Sequence, residues 1–428
     1  MRIEQVVIVG GGLAGLRTAA ELRARAYPGT ITMIGAERHP PYDRPPLSKK
    51  LMLGELDTTS MADEAASLDL DLRLGETAVG LDGGVVRTDR AEHRFDRLVV
   101  ATGAAPVRLP GDGPQRVLRT IDDALAIRAA LRPGTRLVII GAGWIGAELA
   151  TAAAARGCRV TVLEAARTPA AVALGAEAAT QLVPWYAAAG VDLRLGQPVE
   201  SVQAGGLALP GGGWLAADLV VTAVGVRPST GWLAGSGVEL GNGVVVDARL
   251  RTSAPGVFAA GDCAAFWSRR FGQRLRVEHW DTALHAPRVA AANVLGGEEE
   301  YDPVPYFWSE QFGRMVQWAG QRGHRDRLIW RGDPAAPQWT ACWVAAPGAD
   351  APDVRAAGQH GADERAADAD AVGAGPAAAN GAGRLVAVLT VGQPRDLLQG
   401  RRVIAAGQPV DLARLADPAV PLRDTTTR

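Results

Sequence analysis

The chain has 428 residues, 47% of them hydrophobic and 21% charged, with a formal net charge of −1. That length exceeds what one core serves and predicts two or three domains, while the near-zero charge gives no general pull toward nucleic acid or a membrane surface. Cys158, Cys263 and Cys342 form no Cys-x-x-Cys pair and are too few to ligate an iron–sulfur cluster, and the six histidines show no metal-ligand spacing, so no metal is expected. No apolar run reaches the length of about 18 residues that a spanning helix needs. The first strand begins near Gln5, leaving no room for a signal peptide, which predicts a cytoplasmic protein.

A first βαβ unit is predicted as strand 5–9, helix 13–26 and strand 30–35. Its turn carries Gly10-x-Gly12-Leu13-Ala14-Gly15, a dinucleotide fingerprint placed after an apolar run and opening an Ala-rich helix. Such glycines permit a tight turn and let backbone N–H groups approach a pyrophosphate at the helix N-terminus. A proline-rich loop follows, from Pro40 to Lys49, with Pro46 suited to the first turn of a short helix. Lys49 and Lys50 are the only lysines among 45 basic residues, and a compact ammonium does not do the work of a planar guanidinium. Segments 70–101 read as an antiparallel appendage that returns to the parallel sheet at Leu98–Gly103.

A second βαβ unit is predicted as strand 136–140, helix 144–156 and strand 159–163, with the fingerprint Gly141-x-Gly143-Trp144-Ile145-Gly146. A helix near 174–189 and strands as far as Ala223-Val224-Gly225 complete it. Gly256–Asp262 then resumes the first domain, so the second is inserted into it. From Tyr301 onward aromatic residues cluster. Residues 346–383 are mostly Ala, Gly, Pro and acids; that composition predicts a disordered acidic insertion between strands 339–344 and 384–391. The boundaries expected are 1–112 and 245–300 for the first nucleotide domain, 113–244 for the second, and 301–428 for a C-terminal domain.

An acid at the end of the second strand commonly binds the adenosine ribose, which nominates Glu37 for the first site and Glu164 for the second. Glu164 disfavours a 2′-phosphate and so favours NADH, although Arg167 stands nearby. The lysine loop and the distant Gly261-Asp262 suit a long prosthetic group, FAD, at the first site, and the compact inserted domain suits diffusible NADH. Glu148, in the first turns of the second fingerprint helix, is read either as a solvated helix residue or as a carboxylate facing the nicotinamide and pairing with Lys49 across the domain junction. The basic residues Arg269, Arg270, Arg274 and Arg276, and the pair Arg401 and Arg402, read as solvated surface, with partner docking as the second reading.

The first fingerprint, Tyr42-Asp43-Arg44-Pro45-Pro46-Leu47-Ser48-Lys49, Ala101-Thr102-Gly103, the second fingerprint and Gly261-Asp262-Cys263-Ala264 together resemble NADH-dependent ferredoxin reductases. These are flavoprotein components of oxygenase systems, of the putidaredoxin reductase and rhodocoxin reductase type. Val277-Glu278-His279-Trp280, Tyr306-Phe307-Trp308-Ser309 and Pro394-Arg395-Asp396 also look like that family's C-terminal motifs. The resemblance implies an α/β fold with two Rossmann-like dinucleotide-binding domains, as in glutathione reductase, plus an α+β C-terminal domain.

The resemblance further implies that Ala14, Arg44, Lys49, Val79, Thr102, Gly103, Arg119, Gly261, Asp262 and Trp280 contact non-covalent FAD. Glu148, Glu164 and Gly225 would contact NADH, and Arg288 would meet an iron–sulfur ferredoxin serving a P450 or ring-hydroxylating dioxygenase. Three residues depart from the family pattern. Ala36 stands where an acid commonly follows the strand-end glycine, Trp144 is bulkier than the family's usual residue, and Pro287 falls inside a predicted helix. Two rivals remain open at this point: a flavin NADH oxidase, and a redox-responsive interaction protein resembling apoptosis-inducing factor.

Overall fold

The computed structural model describes residues 3–345 and 381–427. Its first sheet is wholly parallel, in the order Val257–Ala259, Arg97–Val100, Gln5–Val9, Thr30–Gly35, Asp71–Leu74. The central strand reads Gln-Val-Val-Ile-Val without alternation because both faces are covered. Val6 and Ile8 point to one face, where Leu22 of the helix Leu13–Ala24 and Ala291 and Val294 of the helix Trp280–Val294 cover them. Val7 and Val9 point to the other, into a core shared with Val244, Phe266 and Val289.

The second sheet, also parallel, runs Asp192–Leu195, Arg159–Glu164, Arg136–Ile140, Leu219–Thr222. The helix Trp144–Ala155 covers Leu137 and Ile139 on one face. The antiparallel segment Ser201–Ala216 covers Val138 and Ile140 on the other. The chain enters and leaves this unit through Ala104–Pro106 and Val226–Pro228, which pair antiparallel with each other. After that crossing Leu233 and Val238 already belong to the first sheet's core, and Gly243–Val246 pairs with Ala264–Ser268.

The C-terminal unit is an antiparallel sheet ordered Tyr306–Gln311, Arg314–Gly320, Ala382–Val391, Trp339–Ala345, Arg327–Arg331, with the helix Pro394–Ala406 packed on it. Arg331 is 4% exposed; its guanidinium pairs with Asp396 at 2.8 Å and donates to the carbonyls of Leu415 and Asp417, tying the C-terminal segment to the sheet. Most of the expected disordered insertion lies outside the described residues; Ala382 and Gly383, at its end, open the long strand.

Two local expectations change. Asp71–Leu74 joins the parallel sheet as its edge strand, and only Ala78–Asp82, Val85–Thr88 and Glu92–Arg94 form the antiparallel appendage. The helix expected near 174–189 is three short ones, Ala171–Leu174, Ala176–Thr180 and Val183–Ala188. Gly175 between the first two has φ +73°, which no right-handed helix accepts, and Pro184 brings no N–H and so sits in a helix's first turn. A single helix spans Trp280–Val294 with Pro287 inside it.

Candidate two-nucleotide redox site

The glycines of each fingerprint divide by what surrounds them. A Cβ on Gly10 would lie 2.0 Å from the Ala101 carbonyl oxygen, and one on Gly15 would lie 1.9 Å from that of Gly10. Gly141 and Gly146 repeat this, at 2.5 Å from Ala223 O and 2.0 Å from Gly141 O. These glycines exist so that backbone can touch backbone. At Gly12 and Gly143, by contrast, a Cβ would meet no protein atom within 4 Å. Each of the two is the N-cap of its helix and supplies no side-chain acceptor, so the first N–H groups of both helices are left without a side-chain cap. Two uncapped helix starts beside two cleared glycines form anion cradles, the fit a dinucleotide pyrophosphate requires.

Around the first cradle, Glu37 holds the proline-rich loop. Its carboxylate accepts from the Tyr42 hydroxyl and pairs with Arg44 at 2.6 Å, and Tyr42 Oη accepts from the Ile121 N–H at 3.0 Å. Ala36, beside it, is exposed. Asp262 pairs with Arg119 at 2.8 Å next to Thr102 and Gly103, and a Cβ on Gly261 would press on Ala14 at 2.9 Å. Trp280 opens its helix with its indole N–H on Asp43 at 2.7 Å. Val79 lies in a bulge of the antiparallel appendage and is 56% exposed.

Around the second cradle, Glu164 ends its strand with one carboxylate oxygen on the Ala142 N–H at 2.7 Å and the other on the Ala166 N–H at 2.9 Å. The acid thus stands directly against the glycine loop. Gly225, with φ +105°, follows the Ala223 carbonyl that touches Gly141. Ile145 is 42% exposed in the first turn of its helix. Trp144 packs on Phe307 with ring centroids 4.7 Å apart, and Phe307 packs equally closely on His279. The His279 ring is half-buried, its Nδ1 is enclosed with no partner among the described residues, and burial pushes its pKa down to about 4.

The two halves meet at one carboxylate. Glu148 is 3% exposed, and its Oε2 accepts from Lys49 Nζ at 2.8 Å and from the Ser48 hydroxyl. The other oxygen, Oε1, accepts from Ser309 Oγ at 2.6 Å. The expected pairing of Lys49 with Glu148 across the domain junction is present; the reading of Glu148 as a solvated helix residue is excluded by its burial. Ser48 and Ser309 stand inside motifs visible in the sequence, yet nothing in the spacing marks them, because Ser309 reaches Glu148 from 161 residues away.

The basic residues are largely spoken for. Arg288 is exposed but pairs with Glu299 at 2.8 Å. Arg269 pairs with Glu300, Arg270 and Arg274 donate to backbone carbonyls, and Arg276 holds Asn242 and Glu278. Arg401 pairs with Asp281 at 3.0 Å and lies over the Tyr306 ring, whereas Arg402 is exposed. Cys263 and Cys342 are buried, and burial raises both thiols, that of Cys342 to about 12, which keeps them protonated. Among the described residues no three His, Cys, Asp or Glu side chains gather as metal ligands, and no helix is long and apolar enough to cross a membrane.

Comparison with known proteins bears on the same residues. The pyridine nucleotide-disulphide oxidoreductase family matches residues 4–286, and a reductase C-terminal domain matches 306–349 and 353–426. The ferredoxin–NAD(+) reductase component of the anthranilate 1,2-dioxygenase system from Burkholderia cepacia is 34% identical, covering 99% of both chains. Putidaredoxin reductase from Pseudomonas putida is 30% identical over 98% of this chain and 96% of that one. The crystal structure of a covalent putidaredoxin reductase–putidaredoxin complex superposes with a TM-score of 0.85 at 29% identity, covering 99% of this chain and 98% of that one.

Proposed function

The chain belongs to the pyridine nucleotide-disulphide oxidoreductase family, among its ferredoxin–NAD(+) reductases, and from that membership we propose how its residues divide the work. Its cofactors are FAD and NAD(H), and it passes electrons from NADH through FAD to an iron–sulfur ferredoxin that serves an oxygenase. The single observation that carries the division of labour is the convergence of Lys49, from the loop after the first fingerprint, on Glu148, from the helix of the second.

FAD, when bound, accepts hydride from the nicotinamide and gives up electrons singly. The chain supplies placement and charge. The cradle at Gly12, with Glu37, Arg44, Thr102, Gly103, Arg119, Gly261, Asp262 and Trp280 around it, is assigned to FAD. The cradle at Gly143, with Trp144, Ile145, Gly225 and Glu164, is assigned to NADH. Glu164 receives the ribose hydroxyls and repels a 2′-phosphate. Lys49 keeps a positive charge where negative charge develops on reduction, and Glu148 fixes the direction in which Lys49 Nζ points.

Electrons must then leave the chain. The cysteines include no dithiol and cannot supply a cluster, so the acceptor is a separate protein. Its docking face is assigned to the surface that carries Arg288, which is exposed. We assign the domain limits given above on the same reading, and a cytoplasmic location, where soluble ferredoxins and NADH are both available.

Anaerobic reduction tests this reading. Protein loaded with FAD is expected to be yellow, to bleach with one equivalent of NADH, and to regain its colour with ferricyanide. A protein that takes up no flavin overturns the assignment.

A further inference from the structure

Ser309 belongs to the C-terminal domain, far in sequence from either fingerprint, yet its hydroxyl ends on the carboxylate at the centre of the site. It is fully buried. Its Oγ accepts from Gln311 Nε2 at 3.0 Å and donates to Glu148 Oε1 at 2.6 Å. Gln311 is itself 1% exposed, and the next residue, Phe312, donates its N–H to Thr151 Oγ1 at 3.0 Å, on the helix that carries Glu148. The strand Tyr306–Gln311 is therefore tied to that helix at Ser309 and again just past its end, at Phe312. The result is a hydrogen-bond chain of fixed polarity, from Gln311 through Ser309 to Glu148, with Lys49 and Ser48 closing on the carboxylate's other oxygen.

We propose that Ser309 is a positioning residue for the redox site, through which the C-terminal domain sets the orientation of Glu148 and thereby of Lys49. This rests on the assignment of Lys49 and Glu148 to the nicotinamide–flavin junction. A carboxylate buried to this depth needs donors on both oxygens, and a buried carboxylate short of one donor turns toward those that remain. Oε2 is served by the first domain through Ser48 and Lys49. Oε1 is served by Ser309, from the C-terminal domain. Without the Ser309 hydroxyl, Glu148 turns about its last torsion toward Ser48 and Lys49, the Lys49 ammonium is drawn off its position, and Gln311 Nε2 loses its acceptor. One hydroxyl thus couples all three domains at the point where electrons enter.

A double-mutant cycle read by stopped-flow tests this, using FAD-loaded full-length protein and NADH under anaerobic conditions. Ser309→Ala is expected to slow bleaching of the flavin absorbance about tenfold, with the NADH KM changed less than twofold and the FAD content unchanged. The primary isotope effect with deuterated NADH should rise, and Ser309→Thr should restore most of the rate. In a Glu148→Gln background Ser309→Ala should cost less than twofold, because its route of action is already gone. The flavin midpoint potential of Ser309→Ala should fall, and it should fall no further when Ser309→Ala is added to Glu148→Gln.

An equal cost of Ser309→Ala in the wild-type and Glu148→Gln backgrounds would overturn the proposal, as would a wild-type rate and potential in the single variant. Failure of wild-type protein to be bleached by NADH would instead overturn the functional reading beneath it.

Discussion

Glu164 illustrates how one carboxylate serves structure and specificity together. It caps the Ala142 and Ala166 N–H groups and so stands with its oxygens against the glycine loop. Hydrogen bonds to a charged acceptor contribute about 1.5–3 kcal/mol, so Glu164→Ala is expected to raise the NADH KM by tenfold or more while lowering kcat much less. The preference for NADH over NADPH should narrow in parallel; steady-state kinetics with an unchanged preference would refute the ribose role.

His279 gives a second prediction at the same scale. Burial lowers its pKa to about 4, against a usual value near 6.5 in an unfolded chain. The folded state therefore binds fewer protons between those values, and stability is full above about pH 6.5 and declines as pH falls toward 4. Thermal melts across that range should show Tm falling with acid, and His279→Phe should flatten the slope. Equal slopes in the two proteins would show that other groups carry the effect. Neither Ser309 nor His279 was legible as functional in the sequence, since each acquires meaning only through a partner on another domain. Lys49 and Glu148 were legible, one by the scarcity of lysine and the other by its place after a fingerprint.

At the scale of elements, the two fingerprints separate folding from binding. Gly12 has φ −90° and open space around it, so Gly12→Ala should leave the Tm of the flavin-free protein unchanged while weakening FAD binding about tenfold, or 1.4 kcal/mol. Gly15→Ala should fail differently. Its Cβ would sit 1.9 Å from a carbonyl oxygen in a helix that packs on the sheet, and overpacking of that kind costs about 1–3 kcal/mol or more. Differential scanning fluorimetry and flavin titration of the pair check this; equal melting losses would contradict it.

The βαβ units were readable because unbroken runs such as Val6–Val9 fit only doubly covered strands. The edge strand Asp71–Leu74 was not, since its alternating polar and apolar residues, Asp-Leu-Arg-Leu, imitate an antiparallel hairpin. The helix break at Gly175 was masked by surrounding alanines, which favour helix on either side of it.

For the whole molecule, the three domains share one buried carboxylate, and the C-terminal sheet is part of the site rather than an appendage to it. Its hairpin strands Trp339–Ala345 and Ala382–Val391 already pair as far as Ala345 and Arg384. Replacing residues 350–380 by a short turn should therefore preserve flavin binding and NADH-to-ferricyanide activity. Loss of folding in that deletion would show the segment to be structural.

The central claim is that electrons enter from NADH at the inserted domain and leave to a separate iron–sulfur protein. The most direct test is NADH-dependent reduction of cytochrome c by the FAD-loaded protein, measured with and without each of a panel of ferredoxins. The account predicts slow reduction without ferredoxin and strong, saturable stimulation by at least one of them, with NADH far better than NADPH. Rapid NADH oxidation that yields stoichiometric hydrogen peroxide and is indifferent to every ferredoxin would contradict it.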